Sequence, residues 1–326
     1  MKKGKGPAAP GSGGGWKWLA LAGLGAAAVY AAGRLLESER ALPRLPPREP
    51  EPEGQLDPSL DPLELPPDMA INHVPGPAGS LRVAERHPQG GLAVVFVHGL
   101  GGRLEQWAPV LHRLGPGLRA ICFDLPGHGE SESPRDGDLS VPALAASIGA
   151  VAAAIGLRRF VLVAHSFGGL LAIDYAGKHR ERVAGLLLAD SNGDATTLPQ
   201  DQRESLVRSV EEDAHGELVS HWRQILYDAE PEVAEKVLAD LEDTSSGTLA
   251  GGLAGSLEYS PLAALDAYGG VTEALVTPAN SMPFSLHRLR PQLPVKTLIG
   301  ASHWLMMDRP DEFCTVLWDF LGRVRR

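Results

Sequence analysis

A chain of 326 residues suffices for one large domain with appendages or for two small ones, and its 44% hydrophobic content is ordinary for a globular fold. The formal net charge of −10, with no long basic block in the folded part, argues against nucleic acid as a partner. Two cysteines, Cys122 and Cys314, each inside an apolar run, read as buried thiols, and with no clustered histidines they give no metal-site spacing.

Residues 1–34 form a basic and apolar leader. Lys2, Lys3 and Lys5 precede a Gly-rich spacer, and the stretch from Trp18 to Ala32 is uncharged. That stretch is short beside the roughly 17–25 residues a spanning helix needs. One reading is a membrane anchor, with Trp16, Trp18 and Tyr30 at the interfaces and the lysines left in the cytoplasm. A second is a signal peptide cleaved near Ala26-Ala27-Ala28, and a third is an Ala/Gly helix with no membrane role. The first two place the domain that follows outside the cytoplasm, tethered or secreted. Residues 35–70 are a Pro/Glu-rich linker: between Leu42 and Pro67 there is too little apolar surface to offset the entropy of ordering.

From residue 71 to the C-terminus apolar runs alternate with helical patterns. Leu92–Val97, Leu118–Asp124, Phe160–Ala164, Val183–Ala189, Glu273–Thr277 and Val295–Ile299 read as strands, the first four buried on both faces. Helical stretches such as Val141–Ile155 and Gly168–His179 lie between them. The alternation predicts an α/β fold, a mostly parallel central sheet with helices on both faces, in which ligands bind beyond the carboxyl ends of the strands. The segment of about 195–270 breaks the rhythm with helical patterns alone and is expected to form a helical cap over that edge. The last helix begins at Pro310, with Phe313, Val316, Leu317, Phe320 and Leu321 at helical spacing and Asp308 as its expected cap.

Polar residues at strand ends carry the candidate chemistry. Ser166 follows a buried strand and precedes Phe167-Gly168-Gly169, the pattern of a sharp turn that lifts a hydroxyl clear and leaves backbone N–H groups beside it. Those N–H groups, from Phe167 and from Leu100 in His98-Gly-Leu-Gly-Gly102, are candidate oxyanion donors. His98 reads as a brace for its loop. His303, after the last strand, is the candidate base, because imidazole accepts and returns protons near neutral pH. His128 and His165 are its rivals, the latter adjacent to the serine and expected to point elsewhere. Asp190 is the first choice to orient His303, with Asp194 next in the same loop, while Asp124 reads as a structural turn.

Taken in order, His98-Gly99, Asp124-Leu-Pro-Gly-His-Gly-Glu-Ser131, His165-Ser-Phe-Gly-Gly169, Ser302-His-Trp304 and Arg309-Pro-Asp-Glu-Phe313 resemble the α/β-hydrolase superfamily, in its capped branch, from about residue 71 onward. The resemblance implies Ser166 as nucleophile, His303 as base and the Leu100 and Phe167 amides as oxyanion hole. Two positions depart from the family pattern. Ala164 stands where the elbow has glycine, and Asn280 stands where most members carry the acid after the strand at Glu273–Thr277. Some members place the acid after the preceding strand, where Asp190 lies. The implied activity is hydrolysis of a small or medium carboxylic ester, a small-molecule acyl substrate, with no metal or organic cofactor. The alternatives are a ligand-binding module with weak or no chemistry and an acyltransferase or perhydrolase on the same scaffold.

Overall fold

The computed structural model describes residues 60–325, so the leader 1–34 and the linker up to residue 59 lie outside the described residues. Among the described residues no helix is long and apolar enough to cross a membrane.

Among the described residues eight strands form one sheet: β1 (Ala70–Pro75), β2 (Ser80–Arg86), β3 (Leu92–Val97), β4 (Leu118–Phe123), β5 (Phe160–His165), β6 (Val183–Ala189), β7 (Thr272–Val276) and β8 (Val295–Thr297). Their spatial order is β1-β2-β4-β3-β5-β6-β7-β8. β2 runs antiparallel to β1 and β4, and the remaining pairs are parallel. The chain winds outward from β3 to β4 and then crosses back to β5, so the order reverses between β3 and β5. In open sheets of this kind that reversal opens the crevice where ligands sit.

The central strands are buried from end to end because helices cover both faces. Alternation divides their side chains. Val161 and Val163 of β5 join one core with Trp107 and with Phe313, Leu317 and Phe320 of the C-terminal helix. Phe160, Leu162 and Ala164 join the other with residues of α1 (Val141–Ala154) and α2 (Phe167–Lys178). Ser140 starts α1 by accepting from the Ala143 N–H, with Pro142 in the first turn.

Strands β1 and β2 stand in addition to the six expected from the sequence, which begin at Leu92. Their runs are short and mixed: β1 is an edge strand with mostly exposed side chains, and β2 carries Arg82, Glu85 and Arg86 among its apolar residues. Arg82 is nevertheless buried, because Glu105 meets its guanidinium at 2.8 Å and Asp124 at 3.4 Å. A charge withdrawn from water needs such partners.

Between β6 and β7 lie five α-helices: α3 (Gln200–Glu212), α4 (Ala214–Ile225), α5 (Pro231–Asp243), α6 (Ser246–Glu258) and α7 (Leu262–Tyr268). The apolar stripes of α3 to α6, such as Val233, Val237 and Leu241 of α5, extend the Trp107 core over the carboxyl edge of the sheet. Helix α7 instead packs against α2: a side chain at Gly177 would meet Ala264, and Leu265 and Tyr268 belong to the other core.

The last helix, α8 (Pro310–Val324), begins at Pro310 as its sequence implies. The expected Asp308 cap is not made. Arg309 occupies the cap position without a side-chain bond, because Leu305–Asp308 forms a helical turn of its own. Asp308 turns back to accept from the Ser302 N–H at 2.8 Å and the Ser302 hydroxyl at 2.6 Å. It braces the loop that carries His303.

Candidate active site

Ser166 sits at the carboxyl end of β5 with φ 51° and ψ −121°, a backbone conformation that costs a non-glycine residue roughly 1–3 kcal/mol. Surrounding contacts hold it there. Its N–H donates to Ala189 O at 3.0 Å, and its carbonyl accepts from the Gly169 N–H at 3.0 Å. Glycine is required at the next turn because a Cβ on Gly168 would collide with the His98 carbonyl and one on Gly169 with the Ser191 hydroxyl. Ala164, where the family pattern has glycine, is fully buried in the core and finds room for its methyl.

The sheet brings three distant side chains together. Ser166 Oγ lies 2.9 Å from His303 Nε2, and His303 Nδ1 lies 2.9 Å from Asp190 Oδ2. Asp190, at the end of β6, also has a positive φ, 43°, and its side chain is almost fully buried. Its carboxylate accepts from the Thr277 N–H at 2.8 Å and the Thr277 hydroxyl at 2.9 Å. With those bonds it can only accept from His303, so Nδ1 carries the ring proton and Nε2 presents a lone pair to the serine.

The rival acids are used elsewhere. Asp194 accepts from the Thr196 N–H and the Ser260 hydroxyl, and Asp124 from the Leu104 and Glu130 N–H groups. Asn280 bonds Ser191 O and Ser285 Oγ rather than His303. The end of β7, where most family members supply a carboxylate, here supplies Thr277 as a clamp on the carboxylate of the neighbouring strand.

Burial lowers the histidines His98, His128 and His165 below the usual imidazole range. His98 is fully buried and pushed down to about 4 by that burial. Its Nε2 accepts from the Leu125 N–H at 2.9 Å while Nδ1 meets Gly99 O at 2.8 Å, so it ties the β3 loop to the β4 loop. His128 is pushed further, to about 3, by burial and then by His98. Burial, and next His303, hold His165 well below the usual range. Its Nε2–H donates to His303 O at 2.9 Å, and the two rings lie 4.7 Å apart. His165 therefore supports the His303 backbone.

The β3 loop reaches the serine from the other side. A Cβ on Gly99 would come within 3.1 Å of Ser166 Cβ. The Phe167 N–H is at the start of α2, where amides have no intrahelical partner. Neither it nor the Leu100 N–H is bonded to another described residue. The cap closes over this loop: a Cβ on Gly101 would strike Trp222 and Leu241, and one on Gly252 would strike Leu100. The His303 N–H donates to Ile225 O at the end of α4, at 3.2 Å, and Trp222 packs edge-on against Trp304 at 5.2 Å. His221, also on α4, is pushed to about 4 by burial, with His303 as the second cause.

A sequence profile of the alpha/beta hydrolase fold matches residues 93–254, the span from β3 into the cap. This chain belongs to the α/β-hydrolase superfamily. A Bacillus subtilis (strain 168) protein assigned as a 2-succinyl-6-hydroxy-2,4-cyclohexadiene-1-carboxylate synthase is 24% identical over 261 residues, 74% of this chain and 94% of that relative. Other curated relatives are 31–38% identical, but the match spans only 23–36% of their own length. Among solved structures, a thermophilic esterase from Thermogutta terrifontis superposes with a TM-score of 0.65 at 24% identity, over 79% of this chain and 99% of that one. The enol-lactonase from Burkholderia xenovorans LB400 gives 0.66 at 18% identity, over 77% and 100%. Likeness at these identities concerns the fold.

Sequence reasoning overlooked Thr277 and Asn192. Asn192 Oδ1 lies 3.2 Å from Ser166 Oγ, and the Asn192 N–H donates to the Ser166 carbonyl. The signal available for Asn192 was its place in Asp190-Ser-Asn-Gly193, at a strand's carboxyl end.

Proposed function

We propose that this chain is a serine hydrolase that cleaves a small or medium carboxylic ester through an acyl-enzyme on Ser166. The observation that carries the reading is the unbroken chain from Ser166 Oγ through His303 to Asp190, with both links at 2.9 Å. Ser166 Oγ attacks the ester carbonyl as its proton passes to His303 Nε2. Asp190 holds the resulting imidazolium in place, and the Leu100 and Phe167 N–H groups receive the oxyanion. The intermediate collapses, the alcohol leaves with the proton from Nε2, and water then releases the acid by the same steps in reverse order. Trp222 and Gly252 of the cap lie against Gly101 and Leu100 of the β3 loop, an arrangement that favours a compact apolar acyl group.

The test is labelling by a fluorophosphonate together with turnover of esters of graded chain length. Wild-type protein labels and hydrolyses short esters, whereas Ser166→Ala loses labelling and at least about 10³-fold of its turnover. Equal labelling of the Ser166→Ala protein would refute the assignment. The proposed setting outside the cytoplasm rests on residues 1–34 and is tested by fractionating full-length protein against a form lacking residues 1–40. Equal partition of the two would remove the anchor.

A further inference from the structure

The Ser166 hydroxyl stands between two polar groups, His303 Nε2 at 2.9 Å and the Asn192 carboxamide at 3.2 Å, with Oδ1 the nearer amide atom. A hydroxyl carries one proton and two lone pairs. Thr277 fixes Asp190 as an acceptor, so His303 donates through Nδ1 and only accepts through Nε2. With Oδ1 toward the serine the hydroxyl donates to Oδ1 at 3.2 Å, which withholds its proton from Nε2. A half-turn of the carboxamide exchanges Oδ1 for Nδ2 without changing its shape and gives Oγ an N–H. Asn192 is only partly buried, and its N–H bond to the Ser166 carbonyl keeps the side chain in register with the elbow through that turn.

We infer that Asn192 is a catalytic residue, donating an Nδ2–H hydrogen bond to Ser166 Oγ and serving deacylation more than acylation. The inference rests on the nucleophilic role proposed for Ser166 and deepens it. Only interactions stronger in the transition state than in the preceding ground state accelerate a step. In the free enzyme the serine hydroxyl is already a good acceptor, so the Asn192 bond changes little as Oγ attacks. In the acyl-enzyme Oγ is an ester oxygen, a poor acceptor because its lone pair is shared with the carbonyl. Water then bonds to the acyl carbon as its proton passes to His303 Nε2. The Oγ–carbon bond breaks, its electron pair returns to Oγ, and Nε2–H hands Oγ the proton. Negative charge grows on Oγ during that departure, and the Asn192 N–H meets it there.

Stopped-flow bursts with p-nitrophenyl acetate, paired with intact mass of the quenched protein, separate the two halves of the reaction. In Asn192→Ala, deacylation falls about tenfold and acylation by less than about threefold, so acyl-enzyme accumulates. In Asn192→Asp the side chain has no N–H and competes with Nε2 for the serine proton, so acylation falls as well. An Asn192→Ala protein that labels with fluorophosphonate yet deacylates at the wild-type rate, or in which both halves slow equally, overturns the role of Asn192 alone. Wild-type protein that neither labels nor acylates removes the nucleophilic reading and this inference with it.

Discussion

The sheet and the cap meet at one site but are built differently. In the sheet, β5 and β6 are apolar and buried along their whole length, and both end in a residue with positive φ, Ser166 and Asp190. The layers on either side over-determine those conformations, so the strain persists where side chains must be aimed. The cap is made of amphipathic helices with one buried stripe and one wet face. It touches the reacting groups through few contacts: Ile225 O on the His303 N–H, Trp222 on Trp304, and α6 on Leu100. The lesson is a division of labour, in which the sheet sets the Ser166–His303–Asp190 geometry and the role proposed for the cap is to decide what reaches it.

That contrast can be broken most severely at Asp190. Asn tolerates positive φ, so Asp190→Asn should keep the backbone while removing the carboxylate and disturbing the His303 tautomer. The expected loss of kcat is roughly 10³–10⁴-fold with little change in melting temperature. Wild-type turnover would remove Asp190 from the proton path. Next comes the packing beneath the site. Phe320, fully buried on α8, should cost about 3–5 kcal/mol on truncation to alanine by denaturant unfolding. Trp222 of the cap is buried as well, and its truncation to alanine should shift chain-length preference in addition to costing stability.

A smaller effect probes the seam between the two regions. Asp240 of α5 accepts from Gln106 of the β3–β4 connection at 3.0 Å and pairs with Lys236 at 3.4 Å. Burial outweighs these partners and pushes its carboxyl up to about 6. The folded state therefore binds a proton more tightly than the unfolded chain. Stability contributed this way is complete below the unfolded value near 4, falls as pH rises to about 6, and is absent above it. Asp240→Asn should raise stability above pH 6 by about 1–2 kcal/mol and flatten the melting-temperature profile between pH 4 and 6. An unchanged profile would assign the pH dependence of the seam elsewhere. The smallest expected change is at Thr277. Thr277→Val keeps the N–H to Asp190 and removes the hydroxyl, and kcat should fall about tenfold without a change in KM. A rise in KM alone would place Thr277 in substrate binding.

Much of the architecture was legible along the chain. Continuous apolar runs such as Leu92–Val97 and Val183–Ala189 coincide with β3 and β6, since burial on both faces leaves no polar position within them. The edges were less legible. β1 is mostly exposed, and β2 hides an arginine whose partners come from Glu105 and Asp124. Asp308 read as a helix cap because capping residues are recognised by neighbours, yet a separate turn aimed it at Ser302.

By itself the sequence determined the alternating strands and helices, the turn that carries Ser166 and the loop that carries His303. Periodicity and turn chemistry are local, acting over a few residues. Tertiary structure decided which aspartate meets His303, because Asp190 and Asp194 are four residues apart and differ only in what surrounds them. It also decided that Thr277 clamps Asp190 and that Asn192 stands beside Ser166. Those bonds join residues 26 to 137 positions apart. A hydrogen bond depends on position within a few tenths of an ångström, and only the folded sheet brings such distant groups to that separation.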